Sequence, residues 1–365
     1  MNKTNITIVT IGSHSALEVA RGARDEGFKN LIICQKGREK TYAKYYKTNG
    51  DLGCVDEILL VDKFSDVLNS TIQERLKAVN GIFIPNRSFE VYINDYDAIE
   101  NDFKIPIFGN KKLLRIEERG FKPNQYDLLT ASKIRYPKQF KDPKDIDRLC
   151  IVKVLEKARG FERRFFFANS ESSYKDEAAR LIKEEEITKE ALEKAVIEEF
   201  IAGVQVNFNF FYSPTYKRLE LLGTDTRRQT NLDGILRLTS NIQSKILEDN
   251  NVEIKYEEAG HIAVTVLESM LEQVFEMGER FVEASKNFTS PGIIGPFALQ
   301  AMIIPGPPKK EIVVFDVSPR FPGSPGITAT PYSGYLFGKP VNVGRRIAME
   351  IKDAIKINKL NDIIS

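Results

Sequence analysis

The chain has 365 residues, 42% of them hydrophobic and 28% charged, enough for two or three domains with real cores and too apolar for a disordered chain. Its 53 Lys and Arg against 51 Asp and Glu leave a formal charge of +2, too balanced for the counterion-release drive of a duplex-binding protein. No run approaches the roughly 20 apolar residues that span a bilayer and the polar start lacks a signal-peptide pattern, so no nucleic acid, no membrane and a cytoplasmic location are expected.

The first 110 or so residues alternate β-type apolar runs with helical patterns, as in a parallel sheet with crossover helices. Ile6 to Ile11 reads as a buried strand, Gly12 to Ser15 as a tight turn, and Ala16 to Glu26 as a helix stopped by Gly27. Strands are expected at Leu31 to Cys34, Glu57 to Val61, Gly81 to Pro85 and Pro106 to Gly109, with a helix near Phe64 to Val79. Such a doubly wound unit binds ligands beyond the carboxyl ends of its strands, where Gly12 to Ser15, Gln35 to Tyr42 and Pro85 to Phe89 should converge. Composition changes near residue 115, so the expected domains are 1–114, a small α+β unit at 115–202 and a C-terminal unit at 203–365. In the middle unit, strands Cys150 to Val154 and Phe165 to Ala168 precede a charged helix through Lys175 to Glu185 and a short segment, Val196 to Ile201. Val206, Phe208 and Phe210 alternate with Asn207 and Asn209, which predicts a strand with one polar face. Apolar positions at helical spacing predict a core-packing helix from about Val264 to Ser285.

Several of these segments carry chemistry. The hairpin Phe297 to Ile304 and Glu311 to Ser318, if symmetric about Pro308, sets Gln300 opposite Asp316 at roughly 4.5 to 5.5 Å between Cβ atoms. Two oxygen donors at that spacing suit a hard cation bridging phosphates; a plain surface pair is the alternative. Arg320, before a Pro/Gly-rich loop, is a candidate to neutralise phosphate and to act in catalysis. Lys153, inside an apolar strand, needs a partner, and a phosphate is preferred here over an ion pair. Glu198, Glu199 and Ile201 end a helical stretch and offer backbone groups to an adenine edge. His14 and Ser15 lie between a strand and a helix N-terminus, where an anion is favoured; His14 is also a candidate acid or base. Lys36 adds positive charge and Ser88 a hydroxyl on the same predicted edge. Asp225 to Asn231 sets Arg227 beside Asn231 in a polar cluster able to clamp phosphate or ribose, or to form an ordinary ion-pair network. Three widely spaced cysteines and two histidines offer neither a disulfide framework nor a zinc pattern.

Taken together the chain resembles an ATP-grasp ligase, and within that superfamily the archaeal formate-dependent ligases that formylate AICAR, the aminoimidazole carboxamide ribonucleotide, to FAICAR. The resemblance runs nearly end to end. It is carried by Gly12 to Leu17, Cys34 to Tyr42, Ile84-Pro85 with Ser88-Phe89, Phe108 to Asn110, Asp225 to Asn231, Gly295 to Phe297, Phe315 to Ser318 with Arg320, and Gly344 to Ile351. It implies an ATP-grasp architecture, mixed α/β and α+β, with an N-terminal doubly wound parallel-sheet domain. It further implies that His14, Ser88 and Asn231 contact AICAR, that Lys153 holds ATP phosphates and that Glu199 lies at the adenine and ribose end. Gln300 and Asp316 would hold Mg²⁺, or Mn²⁺ in its place. The implied reaction joins formate to AICAR through formyl phosphate, in a homo-oligomer, trimer or hexamer.

The chain departs from the pattern where the family has two metal-site glutamates, carrying neutral Gln300 and shorter Asp316. The expected asparagine is missing from Pro322 to Gly326, and the phosphate-covering loop, 157–164, keeps only Gly160 and carries Glu162. The active ligase is therefore weighed against a paralogue using another acid or amine and against a nucleotide-binding protein without turnover.

Overall fold

A computed structural model describes residues 5–154, 164–228, 230–248, 259–306 and 308–365. Most of the 157–164 loop, with Gly160 and Glu162, lies outside the described residues. Packing divides the chain into two units, one of residues 1–134, 205–301 and 316–365, the other of 135–204 and 302–315. Residues 115–134 therefore belong with the first unit, and the far end of the late hairpin with the second.

The larger unit begins with β1 (Thr7–Ile11), α1 (Ala16–Asp25), β2 (Lys29–Gln35), β3 (Glu57–Val61), α2 (Ser70–Ala78), β4 (Gly81–Phe83), α3 (Arg87–Ile93) and α4 (Tyr96–Asn101), then α5 (Gln125–Ala131). Its four strands form a parallel sheet in the order β3-β2-β1-β4. Every residue of β1 is buried, as expected for a parallel strand covered on both faces. The helix expected over Phe64 to Val79 is broken: a 3₁₀ turn at Phe64–Leu68 gives way at extended Asn69 to α2.

The smaller unit contains β5 (Gln139–Phe140), β6 (Cys150–Val154), β7 (Arg164–Ala168), α6 (Glu171–Lys183), α7 (Lys189–Glu193) and β8 (Val196–Glu199). The order β5-β8-β6-β7 is antiparallel where pairings are recorded. Val152, Val154, Phe166, Leu181 and Ile197 fill its core. The segment expected to end a helical stretch is thus an interior strand, hydrogen-bonded on both edges.

The chain then returns through β9 (Val204–Ser213), β10 (Arg218–Arg228), α8 (Leu232–Ile235), α9 (Ser240–Glu248), β11 (Gly260–Ala263), α10 (Leu271–Phe288), β12 (Gly295–Ile304), β13 (Glu311–Ser318), α11 (Tyr332–Phe337) and α12 (Val343–Lys356). A second sheet has the order β11-β10-β9-β12-β13. The expected helix from Val264 starts late, after a 3₁₀ turn at Glu268–Met270. The Val264 N–H donates to the Thr224 carbonyl and the Val266 N–H to the Tyr332 hydroxyl, so this stretch is tied to other elements, and Leu267 is exposed instead of packed. No helix among the described residues is long and apolar enough to cross a membrane.

Helices α1 and α12 cross at glycines. A Cβ at Gly22 would lie 2.1 Å from the Arg345 nitrogen, and one at Gly344 2.3 Å from the Glu18 carbonyl oxygen. The close crossing buries Glu18, which accepts a hydrogen bond from the Val343 N–H at 2.9 Å. Burial pushes its carboxyl up to about 8, against the lowering pull of the Val343 and Gly344 N–H groups. A raised carboxyl pKa stabilises the fold fully below the unfolded value, and that contribution is lost as pH rises through about 8. Glu18→Gln is therefore expected to flatten the pH dependence, gaining on the order of 2–4 kcal/mol relative to the parent between pH 5 and 9. Urea unfolding across that range checks it, and parallel curves for the two proteins would refute it.

Candidate active site

Three loops of the larger unit meet at the carboxyl edge of the parallel sheet. The first, Gly12 to Ser15, leads from β1 into α1 and holds His14 at φ +37°, a left-handed conformation uncommon outside glycine. Asn86, the N-cap of α3, fastens the second loop to the first: its amide donates to the Ile11 and Ser13 carbonyls, each at 3.1 Å. Ser88 lies buried in the first turn of the same helix. The third loop follows β13, where a Cβ at Gly323 would come within 2.8 Å of His14 Nδ1, so the absence of a side chain there makes room for the imidazole.

His14, Ser15, Gly260, His261, Gly323 and Gly326 line an open cleft of about 530 Å³, within the size range of small-molecule sites. Ser15 caps α1, yet its buried hydroxyl makes no hydrogen bond among the described residues. A hydroxyl at a helix N-terminus, where the helix dipole favours negative charge, is suited to an anionic oxygen. The chain's two histidines therefore share one cleft, although they are far apart in sequence and the sequence reading singled out only the first.

His261 is held from behind. Its Nδ1 lies 2.6 Å from Asp225 Oδ2, and Asp225 also accepts from the Asn207 amide at 2.9 Å and the Asn209 amide at 2.7 Å. Burial acts to raise the Asp225 pKa, but hydrogen bonds from His261, Asn209 and Asn207 outweigh it and hold the carboxyl below its ordinary value. A β-bulge creates this geometry. Leu221 pairs with Phe210, but Gly223 pairs with Asn209, so Leu222 is the extra residue and Asp225 falls opposite Asn207. With the earlier register continued, Asp225 would face apolar Val206. The face of β9 expected to be polar is polar, but it is buried and serves a carboxylate. Arg227 pairs directly with His261 across β10 and β11, on the same face as Asp225. Asn231 occupies the N-cap position of α8 without making a cap hydrogen bond.

Gln300 and Asp316 meet as the hairpin symmetry predicted: Gln300 Nε2 lies 3.1 Å from Asp316 Oδ2. The carboxylate is also engaged by Arg119 at 3.1 Å and by the Gln125 amide at 3.2 Å, neither of which the sequence reading found. One carboxylate and one amide oxygen fit a Mg²⁺ ion delivered on a nucleotide, since that ion takes only one or two protein oxygens. They do not fit a tightly held resident ion: no group of three acidic, His or Cys residues placed to hold a metal occurs among the described residues, and Gln300 turns its NH₂ group toward the carboxylate.

Arg320 departs from expectation. Its guanidinium is buried, donating to Glu90 at 3.1 Å, to Glu117 at 2.7 Å and to the Phe321 carbonyl at 3.0 Å, so its charge is spent inside the protein and a phosphate or catalytic role is withdrawn. Lys36 is exposed and paired with Asp62 at 2.6 Å.

In the smaller unit, Lys153 bonds Glu198 at 2.5 Å, an ion pair where a phosphate was preferred; with Glu198 fully buried, the lysine is its counter-charge. Glu199 accepts from Arg148 at 3.2 Å and from the Lys138 N–H at 3.1 Å. The backbone around it is largely engaged: the Glu199 N–H donates to the Lys138 carbonyl, the Phe200 N–H to Leu149, and the Ile201 carbonyl accepts from Gly203.

Two family models match, one described as a protein of unknown function (DUF1246) over residues 8–140 and one as a domain of unknown function (DUF1297) over residues 173–365. The chain is 38% identical over 362 residues, 99% of its length and 95% of the relative, to the 5-formaminoimidazole-4-carboxamide-1-(beta)-D-ribofuranosyl 5'-monophosphate synthetase of Methanopyrus kandleri. It is similar to the solved structure of an IMP biosynthesis protein PurP from Thermococcus kodakaraensis, with TM-score 0.70 and 26% identity, covering 98% of this chain and 100% of that one. Phosphoribosylglycinamide synthetase from Anaerococcus prevotii shares the fold alone, with TM-score 0.57 and 14% identity over 96% of this chain and 75% of that one.

Proposed function

We propose that this chain, which belongs to the 5-formaminoimidazole-4-carboxamide-1-(beta)-D-ribofuranosyl 5'-monophosphate synthetase family and has the ATP-grasp fold, formylates AICAR with formate and ATP, releasing FAICAR, ADP and phosphate. Formate attacks the terminal phosphorus of ATP, giving formyl phosphate and ADP, and the AICAR amine then takes the formyl group. The chain's contribution to both steps is positioning and charge neutralisation.

The observation that carries this reading is the nucleotide-sized cleft where His14 and Ser15 meet His261 at the carboxyl edge of the parallel sheet. In it the Ser15 hydroxyl and the α1 N-terminus receive the AICAR phosphate, and His14, Ser88, Arg227 and Asn231 orient the ribonucleotide. Lys153, Glu198, Glu199 and Ile201 form the ATP side, with Lys153 exchanging part of its bond to Glu198 for phosphate oxygen. Asp316, with Gln300 after its amide turns its oxygen outward, would hold Mg²⁺ on the triphosphate, where the ion offsets phosphate charge.

The test is ADP and FAICAR release from ATP and Mg²⁺ with formate and AICAR each supplied or withheld. Dependence on both is expected; ADP release that requires a different acid or amine would overturn the substrate assignment. His14→Asn is expected to weaken AICAR binding by roughly tenfold to 100-fold, the worth of one hydrogen bond to a charged group. Calorimetric titration with AICAR measures it, and an unchanged affinity would remove His14 from the nucleotide site.

A further inference from the structure

We infer that Lys111 is a modification site: its ε-amine takes up an acyl group from an acyl phosphate, the class of compound to which formyl phosphate belongs. The site is built by a motif with no part in the proposed function. In Phe108 to Asn110 the Gly109 N–H donates to the Ile363 carbonyl at 3.0 Å, and the Asn110 amide donates to the Thr289 and Gly292 carbonyls at 3.2 and 3.0 Å. The Lys111 N–H donates to the Ser365 hydroxyl at 3.0 Å, so the backbone that carries the side chain is firmly held. The side chain is partly buried and lines a narrow, mainly apolar pocket with Ile84, Pro85, Ile107, Pro296 and Phe321. That pocket has about 10 Å³ of room, at the lower limit for a single water molecule, so on this side the amine is poorly hydrated.

Among the described residues the Lys111 amine makes neither an ion pair nor a hydrogen bond. The charges acting on it are Lys104 and Lys112, which oppose its protonation, and Glu100, which favours it. Glu100 is already engaged by Arg115, whose Nε lies 2.6 Å from its Oε1. The Arg320 guanidinium, the other charge lining the pocket, is held by Glu90 and Glu117. Burial, and then repulsion from Lys104, hold the Lys111 amine below its ordinary pKa. Lys36, Lys144, Lys175, Lys286 and Lys356 shift the other way, each raised by a hydrogen-bonded carboxylate. An amine desolvated against apolar groups and set beside other cations keeps more of its neutral, nucleophilic form near pH 7. The same cations attract a dianionic donor.

The neutral amine attacks the acyl carbon of the donor. A C–N bond forms, the bond from that carbon to the bridging oxygen breaks with its electron pair leaving on inorganic phosphate, and the nitrogen gives one proton to water. The product is an uncharged amide, and nothing is oxidised or reduced. On the proposed function the chain makes formyl phosphate during turnover, so self-formylation of Lys111 rests on that reading. The reactivity of Lys111 toward an added acyl phosphate does not.

The deciding experiment treats the full chain with acetyl phosphate near neutral pH, without ATP, and follows each lysine by peptide mapping with mass spectrometry. Lys111 should be acetylated roughly tenfold faster than Lys36 and Lys144, which are exposed and paired with Asp62 and Asp142. Its rate should also level off at a lower pH than theirs, where the amine has become fully neutral. Acetylation of Lys111 no faster than that of these two lysines would overturn the assignment. Lys104→Gln, at an exposed position, should slow Lys111 and leave Lys36 as in the parent, because an amine relieved of a neighbouring cation holds its proton more tightly. An unchanged Lys111 rate in that variant would overturn the electrostatic activation. A second arm supplies ATP, Mg²⁺, AICAR and isotope-labelled formate. A labelled formyl group should accumulate on Lys111 with turnover, and FAICAR release with Lys111 unlabelled would overturn self-formylation. Failure of the proposed function looks different: neither ADP nor FAICAR would be released, while the acetyl phosphate result would stand on its own.

Discussion

Arg346→Met is expected to destabilise the protein by about 3–5 kcal/mol, the cost of leaving two buried carboxylates without their buried cation. Arg346 is 1% exposed and donates to Glu220 at 2.6 and 3.1 Å and to Glu350 at 2.9 Å. Its guanidinium also stacks over Phe211, with 4.2 Å to the ring centroid. Glu350 is fixed further by the Ser213 hydroxyl at 2.7 Å, and Glu220 would keep half-exposed Arg218, at 2.6 Å, as a counter-charge. Methionine matches much of the arginine stem, which confines the loss to charge and hydrogen bonds. Replacing Glu220 and Glu350 by leucine in the same chain should restore much of the stability, because removing the buried charges also removes their desolvation cost and leaves only half-exposed Arg218, which can turn to solvent. Urea midpoints for the single and triple variants measure both effects. A single-variant loss below about 1 kcal/mol, in the range of an ordinary surface pair, would show that the network contributes little.

The second large effect is expected at the late hairpin. Asp316→Ala should lower kcat/KM for ATP about 100-fold, because on the proposed reading Asp316 is the carboxylate that would hold the nucleotide's Mg²⁺. AICAR affinity should stay as in the parent. Gln300→Glu is the converse. A second carboxylate beside Asp316 should lower the Mg²⁺ concentration needed for half-maximal ATP binding, and without the ion it should lower the melting temperature through like-charge repulsion. Arg119, paired with Asp316, competes with the cation, so Arg119→Gln should move the Mg²⁺ requirement in the same direction as Gln300→Glu. Unaltered Mg²⁺ dependence in both Gln300→Glu and Arg119→Gln, with full ATP use by Asp316→Ala, would remove the ion from this pair.

Much of this protein is legible in its sequence because local patterns carry it. Apolar runs separated by helical periodicity specify the parallel sheet, and the Gly12 to Ser15 turn follows from one strand ending and one helix starting. The meeting of Gln300 and Asp316 follows from hairpin symmetry alone. The motif Gly344 to Ile351 marked the family without disclosing its purpose; the structure supplies it, since Gly344 permits the crossing with α1 and Arg346 and Glu350 build the buried network.

Other features were decided only by tertiary packing. Arg320 reads as a phosphate ligand from its place before a Pro/Gly-rich loop, and Lys153 from its place inside an apolar strand, but sequence does not say which carboxylates each meets. Glu90 and Glu117 fully engage Arg320, and Glu198 pairs with Lys153, all from other elements. His261 was invisible for the same reason: its acid lies 36 residues away, and a one-residue bulge at Leu222 sets the face on which that acid stands. The periodicity of a chain fixes which way a side chain points within its own element. Which charge it meets depends on how elements stack, and that pairing, through the low dielectric of the interior, determines whether an ionisable group holds the fold together or remains available for chemistry.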